Sequence, residues 1–334
     1  MSYIWAPTDG LSSSTIANPT ANPTATTTYT LTVTNTSNGC TATDQVIVTV
    51  NTNPPTANAG SDFTKTCQIN TSGKQIGSGP VAGMTYSWSP IAGLSNSAIS
   101  NPIANPTSST TYTVTVTNPN SGCTATDQVI VTVNINPPTA NAGADFTKTC
   151  TQNIGGAQIG SAPVTGMTYA WLPTTGLSSA SVSNPTANPS TTTTYTLTVT
   201  NTTNGCKATD QVVVTVNTNP PTANAGSNFT KTCTSNPSGA QIGSAPVTGM
   251  TYAWLPTTGL SSGTIANPTA NPTTTTTYTL TVTNTANGCT ATDDVVVIVN
   301  TNPPTANAGS NFTKTCTSNP NGAQIGSAPV TGMT

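Results

Sequence analysis

The stretch TTTYTLTVTNTSNGCTATDQVIVTV, residues 26–50, alternates apolar and polar side chains on both sides of an Asn-Gly pair. From Tyr29 to Val33 every second side chain is apolar and the threonines lie between them. Alternation with period two, β-branched residues and an Asn-Gly turn are typical of a β-hairpin that buries one face. The sequence therefore predicts a hairpin whose turn is Asn38-Gly39.

The same stretch returns at 109–133, 192–216 and 275–299, so the chain is a tandem repeat with a period of 83 residues. A period of 83 is too long for a solenoid of 20–50-residue units and suits a small self-contained domain. The interval separates four series of residues: Cys40, Cys123, Cys206 and Cys289; Cys67, Cys150, Cys233 and Cys316; Trp5, Trp88, Trp171 and Trp254; Tyr29, Tyr112, Tyr195 and Tyr278.

One complete unit, residues 54–136, predicts about seven short strands. The first is 55–67, broken at Gly60, and the second is 74–79. The third is 84–90, short edge strands follow, and the hairpin closes the unit. Many short strands with a Trp on the third predict an immunoglobulin-like β-sandwich. The Trp and Tyr series lie at core alternation, so we expect them in the cores.

Pro54-Pro55 ends the preceding hairpin, since proline cannot extend a strand ladder, and gives a short stiff junction. We therefore expect an all-β, beads-on-a-string rod of tandem Ig-like domains. The predicted divisions are 1–53 (strands three to seven of a domain), 54–136, 137–219, 220–302 and 303–334 (the first part of a further domain).

Three segments, PPTANAGSDFTKTC, MTYSWSP and TTYTVTVTNPNSGCTATDQVIVTV, resemble the PKD/Ig-like repeats of large bacterial surface proteins, especially Bacteroidota adhesins and gliding or secretion-system substrates. PKD domains commonly carry Gly-Asp-Gly after the Trp strand, whereas Trp88 is followed here by SPIAGLS. The resemblance is therefore to generic Ig-like repeats of that adhesin group, and it implies a cell-surface structural role.

The two partial units would complement each other. The chain starts in the third strand and finishes at Gly332, Met333 and Thr334, where the third strand of another copy would begin. Neither 1–53 nor 303–334 can bury its apolar face alone. Either the C-terminal strands of one chain complete the next chain in a head-to-tail fibre, or the sequence is a window of a longer array.

The cysteine spacing predicts disulfides that cross the junctions. In a sandwich Cys67 lies at the end where the chain leaves the domain, and Cys123 lies at the opposite end. A six-residue strand spans about 20 Å, but bridged Cα atoms lie within about 7 Å. The favoured pairs are Cys67–Cys206 and Cys150–Cys289, with Cys233 and Cys316 reaching Cys40 and Cys123 of a following chain. Pairing Cys67 with Cys123 inside one domain stays open.

Composition narrows the function classes. Charged residues are 4% of the chain, and Arg, Glu and His are absent. Six lysines give no basic patch for nucleic acid, and no apolar run approaches the ~20 residues that span a membrane. Eight cysteines in fixed positions indicate an oxidising compartment. We expect a location outside the cell or on the surface of a bacterium.

Catalytic and cofactor sites are not predicted. Two carboxylates per repeat, exemplified by Asp62 and Asp127, lie far apart, and Asn228 replaces Asp62 in a later repeat. We expect them to cap turns and edges rather than bind a metal. Without His no serine or threonine nucleophile has an obvious base. The recurring lysine, Lys65 in its first copy, would suit a Lys–Asn isopeptide crosslink as in some pilins, but the absence of Glu disfavours it.

The sequence therefore predicts a structural protein, an extracellular bacterial filament or adhesin stalk whose partner is itself, head to tail, with no cofactor. The alternative is an array of modules that bind surface glycans, which would need exposed aromatic side chains.

Overall fold

The computed structural model describes residues 1–328, in which all regular secondary structure is β-strand. Within these residues there is no helix that could cross a membrane. The strands are β1 (Ser2–Ala6), β2 (Thr27–Thr34), β3 (Thr41–Val48), β4 (Phe63–Thr66), β5 (Lys74–Gln75), β6 (Thr85–Ser89), β7 (Ile103–Ala104), β8 (Thr110–Thr117), β9 (Thr124–Asn134), β10 (Phe146–Thr149), β11 (Ala157–Gln158), β12 (Met167–Leu172), β13 (Thr186–Ala187), β14 (Thr193–Asn201), β15 (Lys207–Asn217), β16 (Phe229–Thr232), β17 (Ala240–Gln241), β18 (Met250–Leu255), β19 (Thr269–Ala270), β20 (Thr276–Asn284) and β21 (Thr290–Asn300).

Each complete repeat is an Ig-like β-sandwich of a four-stranded and a two-stranded sheet. In the first complete repeat the orders are β4-β9-β8-β6 and β5-β7, and the next two repeats reproduce them. β4 runs parallel to β9, and the other pairs are antiparallel. Parallel pairing puts the end of β4 beside the end of β9, where the chain leaves the repeat.

Each complete repeat has fewer strands than the sequence predicts, and its first two strands are shorter. Each complete repeat has six, together with an isolated bridge such as Leu94–Ala104, rather than about seven. Residues 55–60 form no strand, and the predicted strand 74–79 is reduced to 74–75. Gly60 and Gly77 both have positive φ, which breaks a strand, and the Gly77 amide instead donates to Ala59 O at 2.7 Å.

The hairpin is present in all four copies, but its turn is longer than two residues. In the first copy β2 and β3 are joined by residues 35–40, and of these only Gly39 has positive φ. A two-residue type I′ turn needs positive φ at both central residues. The loop is closed by Asn35 N to Cys40 O at 2.9 Å and by Gly39 N to Asn35 O at 2.8 Å.

The core of each complete repeat lies between its two sheets. Trp88, Trp171 and Trp254 are about 1% exposed, and Tyr112, Tyr195 and Tyr278 are fully buried. Around Trp88 the buried cluster includes Ile76, Val114 and Val129.

The first copy has only the three-stranded sheet β1-β2-β3. Tyr29 is buried there, but the prediction that Trp5 is core is wrong, because Trp5 is only partly buried. In a complete repeat the segment that precedes β6, including Ile76, packs with the Trp. Residues 303–328 contain no strand, and the predicted start of a further third strand at Gly332–Thr334 lies outside the described residues.

Candidate functional site: the junction between repeats

The junction is built where two strand ends of neighbouring repeats meet. Thr66, the last residue of β4, pairs with Asn134 at the end of β9. Cys67 follows at once and therefore lies at the exit of its repeat. From the next repeat the hairpin loop that precedes β15 carries Cys206 to the same place.

The structure contains the disulfides Cys67–Cys206 and Cys150–Cys289, each with a Cα–Cα distance of 5.0 Å and a sequence separation of 139. That distance is within the range for unstrained bridges. These are the two pairs within the chain that the strand geometry favours. The alternative pair, Cys67–Cys123 within one repeat, is not formed.

Asn204 supplies polar contacts beside the disulfide, and sequence reasoning missed it. Its side-chain amide donates to Asn134 Oδ1 at 3.0 Å and to Asn136 O at 2.9 Å. Its backbone oxygen accepts from Cys67 N at 3.1 Å, and its Oδ1 accepts from Cys206 N at 2.9 Å. The Asn-Gly pair thus joins two repeats besides turning the chain.

Asn287 repeats the arrangement at the next junction. Its amide donates to Asn217 Oδ1 and Asn219 O, both at 3.0 Å, and its backbone oxygen accepts from Cys150 N at 3.1 Å. The sequence signal for this role was the Asn that precedes the loop Gly in three of the four copies; in the other copy Ser121 takes its place.

Glycine at the loop tip lets the two repeats approach closely. Gly205 has φ of 68°, and a Cβ there would overlap with the side chain of Gln68 in the preceding repeat. At Gly288 a Cβ would lie 2.6 Å from the hydroxyl oxygen of Thr151. A larger residue at either position would displace the neighbouring side chain and would have to adopt a positive φ that suits glycine.

Four cysteines are unpaired within the described residues: Cys40, Cys123, Cys233 and Cys316. Two of them lie at junction positions that lack a second cysteine within the described residues. Cys123 is half-buried with its Sγ 3.7 Å from Asn51 O, and the Sγ of Cys233 lies 3.6 Å from Thr301 O. Their predicted bonds to a following chain stay predictions.

The Tyr series fixes loops within each repeat. Tyr112 Oη donates to Ala92 O at 2.6 Å, and Tyr195 and Tyr278 make the same bond to Thr175 O and Thr258 O. Burial raises the pKa of all three phenols, and for Tyr112 a hydrogen bond with Thr110 partly opposes the shift.

Carboxylates serve as backbone caps. Asp127 Oδ2 accepts from Ala59 N at 2.8 Å, and Asp62 Oδ1 accepts from Ile130 N at 2.8 Å. Asn228 accepts from Val296 N at 2.7 Å in the place of Asp62, so the bond needs an oxygen but no charge. Residues 1–328 contain no cluster of His, Cys, Asp or Glu that could hold a metal ion.

The recurring lysine links the first strand of each complete repeat to an Asn-Pro pair. Lys148 Nζ donates to Asn188 Oδ1 at 2.5 Å and to Pro189 O at 3.1 Å. Lys65 makes the same contacts with Asn105 and Pro106, and is buried. The contact places a lysine beside the Asn that an isopeptide bond would use, and none of the hydrogen bonds at these lysines involves a carboxylate that could catalyse one.

A shallow cleft recurs beside the Trp strand, lined in one repeat by Pro138, Val164, Met167 and Tyr169. The Tyr169 hydroxyl accepts a hydrogen bond of 2.8 Å from Val164 N, and the ring is half-buried. The cleft thus offers no freely exposed aromatic face of the kind that the glycan-binding alternative needs.

No protein-family model matches the chain, and no curated protein matches it. Similar solved structures are fragments of several Ig or cadherin domains in series. They include titin I67–I69 (10% identity, TM-score 0.38, 74% of this chain and 99% of that chain), protocadherin gamma B7 cadherin domains 1–4 (9%, 0.36, 89% and 92%) and Sidekick-1 immunoglobulin domains 1–5 (14%, 0.27, 90% and 74%). At these identities and TM-scores the fold assignment rests on the strand order described above.

Proposed function

We propose that this chain is a structural protein, an extracellular bacterial filament or adhesin stalk built from PKD/Ig-like repeats that join head to tail by strand complementation. The observation that carries the proposal is the disulfide between one repeat and the next, Cys67–Cys206, which recurs unchanged as Cys150–Cys289. A disulfide at each junction between complete repeats is useful to a protein that has to fix the relative position of its domains.

The contacts at the junction support a mechanical role. Besides the disulfide, Asn204 holds the preceding repeat by three hydrogen bonds. In the chain, Pro137-Pro138 follows Asn136 directly, and the ring of each proline fixes its φ. Swivelling of one repeat on the next would have to break these bonds.

Disulfides also support a location outside the cytoplasm, because thiols stay reduced in the cytosol and oxidise in secreted and surface proteins. Immunogold labelling of bacteria that produce the chain should mark surface filaments. Label confined to the cytoplasm would contradict the proposal.

The stiffness of the junction can be measured by electron microscopy of single particles. We expect oxidised chains to show a narrow distribution of angles at every complete junction. In the double variant Cys67→Ser/Cys206→Ser the distribution should broaden at that junction and stay narrow at the one closed by Cys150–Cys289. Cys40→Ser is the control in chains kept monomeric, because Cys40 forms no disulfide within the described residues. Equal angular distributions in all three proteins would show that the disulfides do not set the stiffness.

Pulling the chain by its ends gives a second readout. The two disulfides interleave along the sequence, since Cys150 lies between Cys67 and Cys206. Because each residue reaches at most about 3.6 Å, the unfolded oxidised chain should extend to roughly half the length of the reduced chain. Equal extensions would contradict covalent reinforcement.

A further inference from the structure

The inner face of the sheet β1-β2-β3 is uncovered. Val46 on β3 is 48% exposed, whereas Val129, Val212 and Val295, its counterparts in the complete repeats, are fully buried. The neighbouring Ile47 faces outward, as does its counterpart Ile130, which is 45% exposed in a complete repeat. The exposure of Val46 therefore reflects a missing cover on one face of the sheet.

Residues 303–328 have the sequence of such a cover. They differ from residues 220–245 at one position, Asn321 in place of Ser238. In 220–245 Phe229 begins β16, which pairs with β21, and Ile242 is 2% exposed in the core. In 303–328 no strand is formed, and Phe312 and Ile325 are 43% and 72% exposed.

We propose that residues 303–328 of one copy dock on the sheet β1-β2-β3 of a second copy and complete its sandwich. The occupant is a second copy of this chain, because its own repeats show this segment on this kind of sheet three times. The register of β16 on β21 sets Phe312 opposite Val48 and Thr315 opposite Asn51. This inference rests on the proposed function, in which copies join head to tail.

The residues that would pair in this docking recur in the sequence, while in the uncovered sheet Asp44 Oδ1 accepts from its neighbour Gln45 N at 2.8 Å. Asp44 and Asn311 hold the places of Asp127 and Asp62, which cap Ala59 N and Ile130 N in the complete repeat. By the same correspondence Asp44 receives Ala308 N, and Asn311 receives Ile47 N of the second copy. Donors and acceptors would thus be paired on both sides.

The lysine contact has a counterpart as well. Lys314 of one copy corresponds to Lys65, and Asn22 and Pro23 of the other copy correspond to Asn105 and Pro106. Docking therefore brings the Lys314 amine to the side-chain oxygen of Asn22.

The unpaired cysteines meet in the docked pair. Cys316, one residue beyond Thr315, arrives where Cys123 of the second copy lies beside Asn51 O, and Cys233 meets Cys40 in the hairpin loop. With oxidised glutathione each pair closes by thiol–disulfide exchange: two thiols lose two protons and two electrons, and glutathione disulfide becomes two thiols. Two covalent bonds then join the copies.

Sedimentation of the 334-residue chain under reducing conditions tests the docking without help from the disulfides. We expect concentration-dependent oligomers, weakened by about tenfold or more in Val46→Ser and Phe312→Ser. The adjacent outward-facing variants Ile47→Ser and Thr313→Ser should change association less than about twofold. All four positions lie outside the complete repeats, so loss of association would not come from unfolding of those repeats. A wild-type chain that stays monomeric, or inward and outward variants that behave alike, would overturn the docking.

Peptide mapping of a mixture of isotopically light and heavy chains, oxidised with glutathione, gives the pairing. Mixed light–heavy peptides joining Cys233 to Cys40 and Cys316 to Cys123 are expected. Links of Cys40 to Cys40 or of Cys316 to Cys316 would overturn the register.

The two proposals fail separately. A monomeric chain whose junction angles still depend on Cys67–Cys206 overturns the docking and leaves the structural role. If the chain forms oligomers but its junction angles are the same with and without that disulfide, the structural role is overturned and the docking stands.

Discussion

The side-chain amide of Asn204 donates a hydrogen bond of 2.9 Å to the backbone oxygen of Asn136, across the junction between two repeats. Asn204 is 2% exposed, and Asn287 makes the equivalent bond to Asn219 at the next junction. Ser121 occupies this position in the first complete repeat. Buried amides of this kind are costly to leave unpaired, so they fix how one repeat sits on the next.

Replacing Asn204 with Ser should weaken its junction, because a serine hydroxyl is too short to reach both Asn134 and Asn136. We expect the junction amides to lose about 1–3 kcal/mol of protection against exchange, because the acceptor oxygens of Asn134 and Asn136 are left buried without a donor. Hydrogen exchange at Cys67 N measures it, and Cys150 N at the unchanged junction is the internal control. Unchanged exchange at Cys67 N in the variant would contradict the role of this amide.

Gly77 and Gly79 should respond differently to alanine. Gly77 has φ of 78°, and a Cβ there would clash with Ser100 O and lie 3.0 Å from Trp88 Cζ2. Gly79 has nothing within 4 Å of its Cβ position. We expect Gly77→Ala to destabilise its repeat by at least about 2 kcal/mol and Gly79→Ala to change it by less than about 1 kcal/mol. Denaturant unfolding followed by hydrogen exchange resolves the affected repeat, and equal effects would contradict the packing of Trp88 on Gly77.

Stability should fall in alkali because of the buried tyrosines. Burial raises the pKa of Tyr112, Tyr195 and Tyr278 above the ordinary value of 10.0, so the unfolded chain ionises first. The stabilisation is fully present below pH 10.0 and is lost as the pH rises through the raised values. Phenolate absorbance and the free energy of unfolding between about pH 8 and about pH 11 measure it. Stability that stays level above pH 10 would contradict the assignment.

Asp62 should tolerate Asn but not Ala. Asn228 makes the same bond to a strand amide in a later repeat, so Asp62→Asn should change the free energy of unfolding by less than about 0.5 kcal/mol. Asp62→Ala leaves Ile130 N without its partner and should cost about 1 kcal/mol. Thermal unfolding compares the two variants in the same background. A large effect of Asn would show that the charge matters.

Local pattern accounts for most of the strands in each repeat. The hairpin strands follow from period two because exposed and buried side chains must alternate on a half-covered sheet, and Trp88 and Tyr112 are core for the same reason. The predicted first strand over 55–67 was too long: Gly60 has positive φ, and a Cβ there would lie 3.3 Å from the backbone nitrogen of Gly77, a residue of another segment. The prediction that Trp5 is a core residue was wrong, because the sheet β1-β2-β3 lacks the segment that packs on the Trp in a complete repeat.

The sequence by itself determined the period, the hairpins and the core residues, since these depend on neighbours a few positions apart and on residue chemistry that repeats every 83 positions. It also favoured Cys67–Cys206, because the predicted sandwich topology puts Cys67 and Cys123 at opposite ends of a domain, about 20 Å apart. Only the tertiary structure decided three features: Asn204 donates a hydrogen bond to the preceding repeat, Lys65 donates one to Asn105, and Val46 lies uncovered. The two contacts join residues 40 or more positions apart, and the exposure of Val46 depends on which segments cover its sheet, so local sequence pattern fixes none of the three.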